Sequence, residues 1–299
     1  MNKSKIAGIL SGVAIVLAGC GGFVYTTVGG TVTGLGTSGT NTVGLKNEGN
    51  YTQVLSADGS FSFTEASNAQ YTISVYQQPR YVNCSVANGT GTMNSSTGVA
   101  NVAVTCVPNV QISGNLSGLA DGGKLYLINN ITNPATNVST SADNTPAGAI
   151  SANGTFVLPT WVVSGYNYNV TVALPPPGQY CTVANGTGVA DNNPKLSPPL
   201  IGVNCVTAVP VTFTVTGLTA GNSVTLTNTS IARKEGDPLT VSTIGTYNFS
   251  WSLLTGMNYS VAVTTQPNGQ TCTVQNGNGV ANLANPGASA NIAVTCQNS

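Results

Sequence analysis

One pattern recurs three times along this chain, and each copy closes with a pair of cysteines. In every copy a tyrosine stands 13 residues before the first cysteine, and the second cysteine follows 22 or 24 residues later. The tyrosine and the two cysteines of each copy are Tyr71, Cys84 and Cys106; Tyr168, Cys181 and Cys205; and Tyr259, Cys272 and Cys296. A spacing repeated at this period indicates tandem units of one kind, so the repeat sets the number of domains at three.

Each copy also has the pattern of a series of short β-strands. In copy one, three runs precede the tyrosine: Thr31–Leu35, Val43–Asn47 and Gly59–Phe63. The tyrosine strand and the cysteine strands follow, with the turn signal Asn88-Gly89 between the two cysteines. Apolar residues alternate with a period of two, and no helical period occurs. The sequence therefore predicts an all-β fold of three tandem antiparallel β-sandwich domains, immunoglobulin-like in the broad sense.

The cysteines indicate an oxidising compartment. The chain has seven, and an odd number in an exported protein requires an explanation. If Cys20 serves another purpose, the remaining six form three pairs at equal spacing, which favours one disulfide within each copy. Pairing between copies stays open, since six cysteines allow 15 arrangements. Disulfides persist outside the reducing cytosol, and closing a loop of this size stabilises a small domain by about 3–4 kcal/mol.

The N-terminus has the order of an export signal. Met1–Lys5 is positively charged and Ile6–Ala18 is apolar, which is too short a stretch for a spanning helix of about 20 residues. Leu17–Cys20 resembles the lipobox of bacterial lipoproteins. That resemblance implies cleavage before Cys20, diacylglycerol on its sulfur and an acyl chain such as palmitate on its new amino group. The alternative is an ordinary signal peptide in which Cys20 is incidental.

These features divide the chain into consecutive segments. We predict a lipoprotein signal peptide, a lipidated tether and three sandwich domains, called repeats 1, 2 and 3. Their bounds are 1–19, 20–28, 29–108, 109–208 and 209–299. The junctions around Pro108 and Pro210 each hold one proline and no glycine, so neither is a flexible linker. Three sandwiches joined in this way are expected to form a rod of about 100 Å.

The mature chain also resembles a group of poorly characterised tandem-repeat lipoproteins of Gram-negative bacteria. Their repeats share Tyr-x-Val-x-Val, Gln-Pro-x-Gly-Gln-x-Cys and Asn-Gly-x-Gly, which match Tyr259–Val263, Gln266–Cys272 and Asn276–Gly279. Repeat 1 departs from this pattern, with Arg80-Tyr-Val-Asn before its first cysteine. The resemblance implies the sandwich fold and an envelope location, and supplies no activity. In the group's sorting logic, Gly21 implies the outer membrane, on its periplasmic or its exterior face.

The composition disfavours catalysis and nucleic-acid binding. The chain has no histidine, which removes the commonest general base and metal ligand. Charged residues make up 5%, and no basic patch exists to hold nucleic acid. We therefore predict a protein that is not an enzyme and uses no cofactor or metal. A hydrolase with two carboxylates brought together by the fold is the distant alternative.

Segments that differ between the copies are where a specific partner would bind. Repeat 2 has a long polar insertion at 130–153, and repeat 3 has a charged segment at 231–238 that includes Arg233 and Lys234. Loops on a rigid scaffold often serve recognition, although variable surface loops without function are the alternative.

The expected function is an adhesive, display or structural role at the cell envelope. The protein would contact the membrane through its lipid, and a glycan or a protein at the cell surface. The alternative is a carbohydrate-binding surface lipoprotein that uses Trp161, Trp251 or the 130–153 insertion. Aromatic side chains stack on sugars, but we expect these two tryptophans to pack in the core or at a sheet edge.

Overall fold

The structure is a computed structural model, and the residues it describes form β-strands joined by turns. The described residues are 25–36, 39, 41–48, 51–93, 97–143, 148–191, 201–229, 236–286 and 291–299. The predicted signal segment, Cys20, Arg233 and Lys234 lie outside these ranges. Within them, no helix has the length and apolarity needed to cross a membrane.

Repeat 1 is built from nine strands. They are β1 (Tyr25–Thr33), β2 (Val43–Asn47), β3 (Tyr51–Leu55), β4 (Gly59–Ala66), β5 (Gln70–Thr72), β6 (Ser74–Gln77), β7 (Val82–Ala87), β8 (Thr90–Thr92) and the first part of β9 (Val99–Ser117). One sheet has the order β4-β1-β9-β7 and the other has the order β3-β2-β6, with β5 and β8 paired beside them.

Repeat 2 starts with the second part of β9. Its other strands are β10 (Tyr126–Asn133), β11 (Val138–Asp143), β12 (Gly154–Val163), β13 (Asn167–Leu174), β14 (Gln179–Ala184), β15 (Thr187–Val189) and β16 (Ile201–Thr207). The sheets have the orders β12-β9-β16-β14 and β11-β10-β13-β15.

Repeat 3 has the same arrangement. Its strands are β17 (Thr212–Thr216), β18 (Val224–Asn228), β19 (Asp237–Val241), β20 (Gly245–Asn248), β21 (Asn258–Thr265), β22 (Gln270–Gln275), β23 (Asn278–Val280) and β24 (Ile292–Asn298). The sheets have the orders β20-β17-β24-β22 and β19-β18-β21-β23.

Each repeat is a sandwich with its own hydrophobic core. Alternate residues of facing strands, such as Phe213, Leu226 and Val294 in repeat 3, are buried in one cluster. Separate clusters occupy repeat 1 and repeat 2. The predicted all-β sandwich fold is confirmed. One pair in each repeat differs from an antiparallel sheet, because the first and last strands run parallel, as β17 and β24 do.

The described chain groups into two compact units that divide between Asn109 and Val110. The second unit contains repeats 2 and 3, which contact each other through the turn at Gly178. The Gly178 N–H donates to Ser252 Oγ of repeat 3 at 3.1 Å, while its carbonyl accepts from the N–H of Ala208, the last residue of repeat 2, at 2.8 Å. The turn of repeat 2 is therefore fixed against repeat 3.

Several strands lie where the sequence predicts loops or a tether. β1 begins at Tyr25, inside the predicted tether 20–28. β11 lies within the 130–153 insertion, and β19 begins inside 231–238. These two strands, like β3, have a strand on one side only. The polar residues of β11 and its neighbour bond through Thr132 Oγ1 and Ser139 Oγ at 2.8 Å, so no apolar alternation marks this strand in the sequence.

Candidate functional site

The cysteines form one disulfide within each repeat, as the spacing predicts. The bridges are Cys84–Cys106, Cys181–Cys205 and Cys272–Cys296. In each bridge the two cysteines lie directly opposite each other on antiparallel strands, with Cα atoms 3.9–4.0 Å apart. All six cysteines are buried. Each bridge therefore joins two neighbouring strands of one sheet, which are β7 and β9, β14 and β16, or β22 and β24.

The glycine of the recurring Gly-Leu dipeptide contacts the second cysteine of its repeat. Its φ lies between +73° and +80°, and a Cβ there would come within 2.0–2.2 Å of the cysteine carbonyl oxygen. The pairs are Gly34 and Cys106, Gly118 and Cys205, and Gly217 and Cys296. Both the backbone angle and the close approach require glycine.

The recurring tyrosine packs over the second glycine of Asn-Gly-x-Gly. The tyrosine and the glycine are opposite each other in register, and a Cβ on the glycine would lie 2.4–2.6 Å from the tyrosine Oη. The pairs are Tyr71 and Gly91, Tyr168 and Gly188, and Tyr259 and Gly279. Burial raises the pKa of the Tyr168 phenol above its ordinary value of 10.0.

An asparagine of the second strand also has a structural role in every repeat. It is buried, and its Oδ1 accepts a hydrogen bond of 3.0–3.2 Å from the backbone N–H that follows the tyrosine. The asparagine and the donor are Asn47 and Thr72, Asn129 and Asn169, and Asn228 and Ser260. The recurring residues are thus used to hold the sandwich together.

A glutamine six residues before the first cysteine forms a clasp in repeats 1 and 3. Gln78 Nε2 donates to the Cys84 carbonyl at 2.8 Å, and Gln78 Oε1 accepts from the Cys84 N–H at 2.8 Å. Gln266 makes the same two bonds to Cys272, at 3.0 and 2.8 Å. The side-chain carboxamide thereby satisfies both peptide groups at the open edge of the first-cysteine strand.

Replacing Gln266 by alanine is expected to lower the free energy of unfolding of repeat 3 by about 1 kcal/mol, because two backbone bonds to Cys272 are lost. Urea unfolding followed by the fluorescence of Trp251 measures this. Gln275→Ala, at an exposed position of the same strand, is the matched control and should change stability by less than about 0.5 kcal/mol. Equal effects of the two substitutions would contradict the clasp.

Repeat 2 lacks the clasp, and a groove lies beside its first-cysteine strand. Pro175 stands six residues before Cys181, and its ring has no donor or acceptor. At the edge of β14 lies a cavity with a volume of about 1040 Å³. Its lining residues are uncharged and come from three strands: Tyr180–Val183 and Asn185–Thr187 of β14 and its turn, Ile128 and Asn130 of β10, and Asn169–Ala173 of β13. Trp251 of repeat 3 completes the lining.

The structure separates the residues predicted to bind a ligand. Trp251 is 8% exposed, so little of its ring is open for stacking, and its backbone N–H donates to the buried Asp237 Oδ2 at 2.8 Å. Trp161 is half-buried on β12 and does not line the groove. Asn130, the first residue of the 130–153 insertion, does line it. Sequence reasoning missed the groove itself, although the proline at the glutamine position was a signal for it.

The described residues contain no group of three or more His, Cys, Asp or Glu side chains that could hold a metal ion. Because its lining residues are uncharged, the groove is a candidate site for a neutral ligand, bound by amides, hydroxyls and peptide groups.

No family model matches the chain, and no curated protein matches it. Solved structures of similar architecture include two B repeat units of the collagen-binding protein of Staphylococcus aureus, at 13% identity over 92% of this chain and 75% of that one, with a TM-score of 0.22. The pilus adhesin SpaC of Lactobacillus rhamnosus GG is 12% identical over 92% of this chain and 44% of its own, with a TM-score of 0.23. A variant of the shaft pilin SpaA from the same organism is 13% identical over 62% and 99%, with a TM-score of 0.26. Values this low do not assign the chain to these families.

Proposed function

We propose that this protein is a non-enzymatic, lipid-anchored protein of the bacterial cell envelope. Its three disulfide-bonded sandwiches have an adhesive, display or structural role. The observation that supports this most is the use of the recurring residues. In each repeat the cysteines, glycines, tyrosine and asparagine make contacts within the sandwich. The recurring motif therefore has a structural role.

The compartment follows from the chemistry of the cysteines. Buried disulfides persist outside the cytosol, which fits an exported protein. The lipobox-like Leu17–Cys20 supplies the anchor, and two or more acyl chains hold a protein firmly where a single chain is marginal. The outer membrane is the proposed destination.

Replacing Cys20 by serine is expected to release the protein from the membrane pellet into the soluble fraction and to abolish labelling with radioactive palmitate. Fractionation of cells that express the full chain measures both. Gly22→Ala, two residues further on, is the matched control and should keep label and membrane association. A Cys20→Ser protein that still sediments with membranes would overturn the anchor. Protease treatment of intact cells then shows which face of the outer membrane the repeats occupy.

A further inference from the structure

The first-cysteine strand directs the peptide groups of its cysteine toward an open sheet edge. In antiparallel strands, two facing residues with the shorter Cα–Cα distance form a non-hydrogen-bonded pair. Each residue of such a pair points its N–H and C=O away from the partner strand. Cys84 and Cys272 show this, because the glutamine clasp bonds both groups from the far side. Cys181 pairs with Cys205 in the same register, with Cα atoms 4.0 Å apart. Its N–H and C=O therefore also point outward.

Repeat 2 leaves this outward pair unclasped. Among the described strands, β14 lies at the end of the sheet β12-β9-β16-β14 and pairs with a strand on one side only. Pro175 replaces the clasping glutamine, and no side chain of the described residues bonds the Cys181 peptide groups. Two residues further along the strand, Val183 presents its peptide groups on the same edge. A row of backbone donors and acceptors thus borders the groove.

The residues that line the groove indicate which kind of ligand the β14 edge can bind. The β13 residues Asn169–Ala173 form another part of the lining, and none of the lining residues carries a charge. A charged ligand would lose hydration there without gaining a counter-charge. The volume of about 1040 Å³ is at the upper end of the range for ligand sites, roughly 300–1,000 Å³.

We propose that the β14 edge of repeat 2 binds an extended, uncharged peptide segment of a partner protein as an added strand. The clasps of repeats 1 and 3 show that an amide donor together with an amide acceptor satisfies this position. One residue of an added strand supplies both, and the next pair falls opposite Val183. This inference deepens the adhesive part of the proposed function and rests on it, while the Cys20→Ser result stands independently of it.

The open edge is tested first in the protein without ligand. In the full mature chain with Cys20 replaced by serine, the Cys181 amide is expected to exchange its hydrogen about tenfold faster than those of Cys84 and Cys272, because it lacks one hydrogen bond. Pro175→Gln should restore the clasp and slow Cys181 to the rate of the other two. Equal protection of all three amides in the Cys20→Ser chain that keeps Pro175 would overturn the proposal.

Binding is tested with a labelled, end-capped hexapeptide of sequence Ser-Val-Thr-Val-Thr-Ser, titrated by fluorescence anisotropy. We expect saturable binding that Pro175→Gln weakens about tenfold or more, since an occupied edge cannot accept a strand. Methylating alternate peptide nitrogens on the edge that faces β14 should abolish binding, whereas methylating the other edge should not. Three results would each overturn the added strand. They are peptide binding that Pro175→Gln leaves unchanged, no binding at millimolar peptide, and binding of a neutral cello-oligosaccharide that the peptide does not displace.

Discussion

Replacing Cys272 and Cys296 together by alanine is expected to lower the free energy of unfolding of repeat 3 by about 3 kcal/mol. The bridge closes a loop with a sequence separation of 24 residues, and removing it releases that constraint from the unfolded chain. The effect is large for a domain of this size, because its single core contributes only a small net stability. Trp251 lies in repeat 3, so in a chain with Trp161 replaced by phenylalanine the fluorescence during a urea titration reports on this domain.

The matched control for the disulfide removes a cysteine that no bridge uses. Cys20→Ala changes the thiol count without touching a repeat and should leave the Trp251 transition in place. Trp161 reports repeat 2 in the same experiment when Trp251 is replaced by phenylalanine in a parallel chain. A loss below about 1 kcal/mol in the double variant would show that the bridge does not stabilise the repeat as the loop-closure estimate requires.

Replacing Gly118 by alanine is expected to destabilise repeat 2 by about 3 kcal/mol or more, because two costs add. A φ of +73° is strained for alanine by about 1–2 kcal/mol. The new methyl would also lie 2.0 Å from the Cys205 carbonyl oxygen, so the backbone must shift to relieve the clash. Overpacking of this kind costs about 1–3 kcal/mol. Urea unfolding followed by Trp161 fluorescence measures the sum.

Gly122 separates the two costs. Its φ is +74°, and an added Cβ would meet nothing within 4 Å. Gly122→Ala therefore carries the backbone strain without the clash and should cost about 1–2 kcal/mol. If the two alanine variants unfold at the same urea concentration, the close approach of Gly118 to the cysteine carbonyl does not contribute to stability.

The sandwiches and their bridges could be predicted because the evidence for them is local and repeated. The distance from Tyr259 to Cys272 recurs in all copies, and alternation identifies the inward face of each strand. The parallel pairing of the first and last strands could not, because the partner of β17 lies in β24, far along the chain, and both have the same alternation. The polar edge strand β11 was missed because neither of its faces has an apolar stripe.

The candidate site was predicted less well, for a physical reason. The sequence draws attention to Trp251, but the fold covers most of its ring against neighbouring residues. It also contains Pro175 in the place of a glutamine, yet the meaning of that change depends on where the glutamine side chain bonds. A missing clasp is visible only once the clasp has been seen in the other two repeats.

The most direct test of the account is peptide mapping by mass spectrometry of the full chain, purified from the envelope of an expressing Gram-negative bacterium without reductant. The account predicts disulfide-linked peptides that join Cys84 to Cys106, Cys181 to Cys205 and Cys272 to Cys296, and a lipid-modified Cys20 as the first residue. A disulfide between two repeats, or an unmodified chain that keeps residues 1–19, would contradict it.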